Sequence, residues 1–167
     1  VYVGGMIVKN DNFLVVAGST RGLGVGYGPA AGDDEDGFVT LIDIATGELL
    51  SGRKNNERIG STEDDVISGI CDDPNDPDSF YVVGATKGDM DGIPDNQLEI
   101  QAGSLQGFIK KINLDTLHGR WTVQWGAQNA QLETVAYAVG CVVSGDVVYV
   151  AGVVEGSAGM VQGQDVT

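Results

Sequence analysis

The chain has 167 residues, 26 of them glycine, and a formal net charge of −15. That length allows one sizeable core, and that charge argues against nucleic-acid backbones or anionic membranes as partners, which need basic surfaces. No apolar run approaches the ~20 residues of a membrane span, so no membrane insertion is expected.

In chain order, Tyr2–Val8 and Phe13–Gly18 are predicted strands of a hairpin. Asn10-Asp11-Asn12 joins them, with residue types that tolerate left-handed backbone. Residues 22–36 are a loop, glycine-rich and then acidic. Its glycines match a phosphate-binding loop poorly, because Pro29 interrupts them and no helix follows. Phe38–Ile44 is a strand, closed by the turn Ala45-Thr46-Gly47, and Glu48–Ile59 holds a more polar one. After the connection Gly60–Asp65 come a strand over Val66–Cys71, the proline-bearing turn Asp72–Asp78 and a strand over Ser79–Ala85.

The pattern then returns. Gly107–Leu114 matches Gly37–Ile44 at a constant offset of 70. Trp121–Trp125, Val135–Val143 and Val147–Ala151 follow as strands, with Ser144-Gly145-Asp146 as a turn, and Gln164–Thr167 looks like the start of another unit. One strand type occurs three times, at Phe13–Gly22, Phe80–Gly88 and Val148–Gly156, with closing glycines spaced by 66 and 68. Each is an aromatic and β-branched run, a Gly, two or three residues and a second Gly. Four short antiparallel strands per repeat, with no helical period, predict an all-β, β-propeller-like array of four-stranded blades. The expected division is a half blade over 1–35, blades over 36–105 and 106–161, and the start of another over 162–167. Two complete blades leave open ends, so the array is expected to continue in further blades of the same chain or to be completed by other chains.

Gly60-Ser61-Thr62-Glu63-Asp64-Asp65, Gly69-Ile70, Phe80–Thr86 and Asp36-Gly37-Phe38-Val39 together resemble the SBBP repeat, the seven-bladed β-propeller repeat. Gln106-Gly107-Phe108-Ile109 is similar to the last of these elements, while Glu133-Thr134 replaces the Asp-Asp pair in the second unit. The resemblance implies a propeller, a scaffold-like role and an extracellular or cell-surface setting.

Candidate chemistry is sparse. Asp89-Met90-Asp91-Gly92-Ile93-Pro94-Asp95 resembles part of a calcium loop, because alternate carboxylates around a Gly turn can wrap a hard cation. Asp89, Asp91 and Asp95 are thus the candidate Ca²⁺ ligands; the competing reading is an inter-strand loop with no cofactor. Of the 24 acidic residues 17 lie between 33 and 95, which reads as a solvated rim of blade loops. Cys71 and Cys141 are 70 apart. Aligned on Gly69 and Gly140 they fall on opposite strand faces, and two buried free thiols are expected. His118 is the only histidine, sits in a turn and lacks evident triad or metal partners. Trp121 and Trp125 share a strand face, as core packing or as a rim platform. The expected function is a non-catalytic structural or protein–protein interaction module that adds strands at its open edges. The alternative is a calcium-assisted carbohydrate- or ligand-binding propeller.

Overall fold

The computed structural model describes residues 1–21, 34–50, 56–61, 63–90, 104–126 and 135–155. Among these are ten strands and no helix, hence none long and apolar enough to cross a membrane. The strands are β1 (Tyr2–Lys9), β2 (Phe13–Arg21), β3 (Glu35–Asp43), β4 (Asn56–Ile59), β5 (Asp65–Asp72), β6 (Ser79–Thr86), β7 (Gln106–Asn113), β8 (Gly119–Trp125), β9 (Val135–Ser144) and β10 (Val147–Glu155). They form three antiparallel sheets, β1-β2-β3-β4, β5-β6-β7-β8 and β9-β10, none closed on itself.

The hydrogen bonds therefore divide the chain at 2–59, 65–125 and 135–155, across the boundaries at 36 and 106 drawn from the repeat. β3 pairs back onto β2 from Phe13↔Asp43 to Arg21↔Glu35, so it closes the first sheet instead of opening a new one. Of the polar strand expected within Glu48–Ile59, the described residues show Asn56–Ile59, with an isolated bridge Ile42↔Leu49 before it; residues 51–55 lie outside the described residues. Gln164–Thr167 lies outside the described residues.

The first glycine of the recurrent strand has one place in all three copies. Gly18, Gly84 and Gly152 do not end strands; each lies inside one, opposite a β-bulge in its hairpin partner. The register skips between Val3 and Gly5, between Ile67 and Gly69, and across Val139 in the third hairpin. A Cβ at these glycines would strike the carbonyl oxygens of Tyr2, Val66 and Tyr137. The bulge brings the two backbones together, and only a residue without a side chain fits.

Successive sheets stack through their first strands: β1 packs on β5 and β5 on β9. Gly69 faces the Gly140 Cα across the second of these contacts. Side-chain alternation then sorts the core. Phe80, Val82, Phe108 and Ile112 of the second sheet join Val15, Ala17, Val39, Leu41 and Ile59 of the first in one cluster. Tyr81, Val83 and Ile109 point the other way and join Ala138, Val143 and Val148 of the third sheet. All eight residues of β6 are buried as a result, since both faces of that strand are covered. At ~25 cal/mol per Å² of apolar surface buried, this double coverage makes the second sheet the stable centre of the stack.

The two β3–β4 and β7–β8 corners also repeat. Asp43 Oδ1 accepts from Thr46 N (2.9 Å), and Asn113 Oδ1 from Thr116 N (3.0 Å). Each turn needs one left-handed residue, which is Gly47 (φ 71°) in the first and Leu117 (φ 56°) in the second. Leu117 accepts that strain because its side chain is fully buried in the core, whereas nothing lies near a Cβ at Gly47.

Candidate functional site

The residues that the repeat motif singles out converge at one end of the first two sheets. Gly60 and Ser61 leave β4, Asp65 begins β5, Thr86 ends β6, and Asp36 lies beside them on β3. Asp65 is wholly buried. Its carboxylate accepts from Ser61 N (2.6 Å) and Ser61 Oγ (3.1 Å). A Cβ at Gly60 would lie 2.7 Å from Asp65 Oδ2 and 3.1 Å from Asp36 Oδ1, so the glycine is the gap through which the two acids approach. Burial raises the Asp65 pKa above 3.8; hydrogen bonds from Thr86 and Ser61 offset this only in part, and the Asp36 charge adds to it. Asp64, next in sequence, faces outward. Its carboxylate takes a hydrogen bond from Lys87 Nζ (2.7 Å) and another from Glu35 N (3.1 Å), which hold its pKa below 3.8. The Asp-Asp pair therefore splits its work. One carboxylate pins the inter-sheet connection from inside, and the other ties β3 to the end of β6.

At the same end of the second sheet, neutral groups hold the residues that follow β6. Gln106 stands where β3 has Asp36, and it is buried against Gln124. Gln124 Nε2 donates to Gln106 Oε1 (3.0 Å) and to the Gly88 carbonyl (2.8 Å), while its Oε1 accepts from Met90 N. Glu133 and Thr134 lie outside the described residues.

At the opposite end, the hairpin turns are tied to each other. Lys9, almost fully buried at the end of β1, donates to Asp72 Oδ1 (2.5 Å) and to the Ser79 carbonyl (2.9 Å). Asn75 Nδ2 donates to the Gly145 carbonyl in the β9–β10 turn. Within the second sheet, Asp73 accepts from the Tyr81 hydroxyl (2.9 Å) and pairs with Lys111 Nζ (2.9 Å), which sits over the Tyr81 ring. Burial pushes Asp73 up, yet the bonds from Lys111 and Tyr81 outweigh it and keep the acid below 3.8.

The cysteine expectation is overturned. Cys71 of β5 and Cys141 of β9 form a disulfide across the second and third sheets, with Cα atoms 5.7 Å apart. The two positions do fall on opposite faces of equivalent strands. Stacked sister sheets meet by opposite faces, however, so that offset points the two sulfurs at each other. The same region absorbs the tryptophans. Trp121 and Trp125 are half-buried against the second core cluster; Trp121 meets Tyr81 with ring centroids 5.7 Å apart, and Trp125 covers Gly107. His118 is exposed in its turn, with its N–H bonded to Thr116 Oγ1.

Of the candidate Ca²⁺ ligands, Asp89 is exposed beside the buried Met90, and Asp91 and Asp95 lie outside the described residues. Among the described residues no three His, Cys, Asp or Glu side chains are grouped to hold a metal ion.

Large apolar side chains are also exposed among the described residues. Tyr2, Met6 and Val8 of β1 are exposed on the first sheet, as are Val142, Val147, Tyr149 and Val154 on the third.

No family model matches the chain. A stretch of 76 residues is 36% identical to ribosomal protein uS12 methylthiotransferase RimO of Deinococcus radiodurans. That stretch is 46% of this chain and 14% of that protein, so the chain spans a small part of the relative.

Proposed function

We propose that the chain is a non-catalytic structural and protein–protein interaction module: a run of β-propeller blades of the SBBP type in an extracellular or cell-surface protein. The observation that carries this reading is the unequal coverage of the sheets. Both faces of the middle sheet are packed against sister sheets, while the outer sheets keep exposed Met6 and Val8 at one end and Val147 and Tyr149 at the other. Stacking of this kind supports an array in which each sheet hides a face of its neighbour. The motif residues Asp36, Gly60, Ser61, Asp65 and Thr86 support it further, because they join sheet to sheet instead of presenting a reactive group to solvent. The disulfide supports an oxidising compartment.

Native mass spectrometry with a hydrophobic dye tests the proposal. The expected result is self-association or strong dye binding, relieved when the chain is joined to further repeats or to its partner. A monodisperse 17.4 kDa monomer that binds no dye overturns it.

A further inference from the structure

Each sheet begins with a bulged strand, and at both described junctions the bulge residue faces the next sheet. The register skips Gly4 in β1, Ser68 in β5 and Val139 in β9. The residue before the bulge, Ile67 in β5 and Ala138 in β9, belongs to the core shared with the preceding sheet. Its carbonyl oxygen meets the bulge of that preceding sheet. A Cβ at Gly4 would lie 2.3 Å from the Ile67 carbonyl oxygen. Ser68 Oγ donates to the Ala138 carbonyl across the second junction.

The two junctions use this contact differently, and both uses depend on size. At the first, the carbonyl lies where any side chain would have to stand. Atoms in ordinary contact are about 3.5 Å apart, so even a methyl group there would push the sheets apart by about 1 Å. At the second, one hydroxyl is admitted, and it satisfies the carbonyl it meets. Val139 fits neither arrangement. Its Cβ carries two methyl groups, and it has no proton to donate. A gap of about 1 Å loses up to about half the dispersion energy of the facing atoms, and a buried carbonyl left unmet adds its desolvation penalty.

We infer that Val139 sets the spacing of contacts on the third sheet: it keeps a sister sheet, of this chain or of a second copy, from closing onto β9 as β5 closes onto β1 and β9 onto β5. The residue in the bulge thus selects which sheets stack closely. The selection bears most on a second copy of the chain. The first sheet of another copy carries Val3 before its bulge, in the place of Ile67 and Ala138, and exposes Tyr2, Met6 and Val8. Head-to-tail stacking of such ends grows into rings or fibres. Val139 holds that contact open. The inference rests on the two described junctions and not on the proposed function.

Substitutions in the full chain, with the disulfide intact, test it. Ser68→Val carries the condition of Val139 into a described junction. Hydrogen exchange over 135–155 should quicken about tenfold or more relative to Ser68→Ala, which loses the hydroxyl but keeps the room, while exchange over 13–21 stays as in the parent. Equal exchange in the two variants overturns the inference, because room would then not decide the contact. Val139→Gly recreates the Gly4-Gly5 pair of β1, and Val139→Ser the Ser68-Gly69 pair of β5. In sedimentation velocity either variant should self-associate at about a tenfold lower concentration than the parent. Val139→Ile, which keeps the branch, should match the parent. Parent-like association in both small variants overturns the inference as well. A dye-silent, monomeric parent fails the proposed function, and the same comparisons still decide this inference.

Discussion

A single buried carboxylate and a single strained leucine carry the sharpest residue-scale consequences. Folded Asp65 keeps its proton to a higher pH than it does in the unfolded chain. Its contribution therefore favours the fold once pH has fallen below the raised value, and is lost as pH rises through it. Asp73, held low, runs the other way and loses its contribution as pH falls below 3.8. Asp65→Asn removes the first effect alone. The Tm difference between variant and parent should thus shift in favour of the variant at pH 7 relative to about pH 4; an unchanging difference refutes the assignment. At Leu117, a fully buried side chain and a φ of 56° pull in opposite directions. Leu117→Ala should cost about 2–5 kcal/mol. Leu117→Gly should cost no more than the alanine variant despite removing more side chain, because only Gly relaxes the left-handed backbone. Urea denaturation of the two variants decides the order.

Among the elements, the β9–β10 hairpin depends most on a covalent link. A two-stranded sheet is marginal by itself. The Cys71–Cys141 bridge closes a loop of 70 residues, worth roughly 4 kcal/mol in the loop-entropy account. Reduction should raise hydrogen exchange over 135–155 well before it does so over 79–113, and uniform loss of protection contradicts this. The hairpins and their turns were legible in the sequence, since Phe13, Phe80 and Val148 each open the same aromatic and β-branched run. The grouping into sheets was not legible, because nothing local to Asp36 or Phe38 says whether β3 pairs backward with β2 or forward with β5. The role of Asp64 and Asp65 was hidden for a related reason. Two adjacent acids read as solvated rim until the fold buries one of them against Ser61 and Thr86 and leaves the other to Lys87. Strand addition at an open edge does not extend to β6, which lies between β5 and β7.

Taken whole, the molecule is a stack with a saturated middle and two apolar ends. Its acidic residues keep copies apart by charge while Met6 and Tyr149 invite contact. Replacing both by Lys should leave thermal stability within about 0.5 kcal/mol per site, since neither side chain is buried. The same change should reduce self-association in sedimentation velocity; equal association in the variant locates the contact elsewhere. The cysteine offset has a consequence beyond this pair. Cys71 stands two residues after Gly69 and Cys141 one residue after Gly140, the glycines that follow the two bulges, so a unit bearing thiols at both places would aim them at different neighbours and could not lock onto itself. Repeats built that way would be riveted at every junction, like pages sewn through a common spine, and a reductant would loosen the whole binding at once.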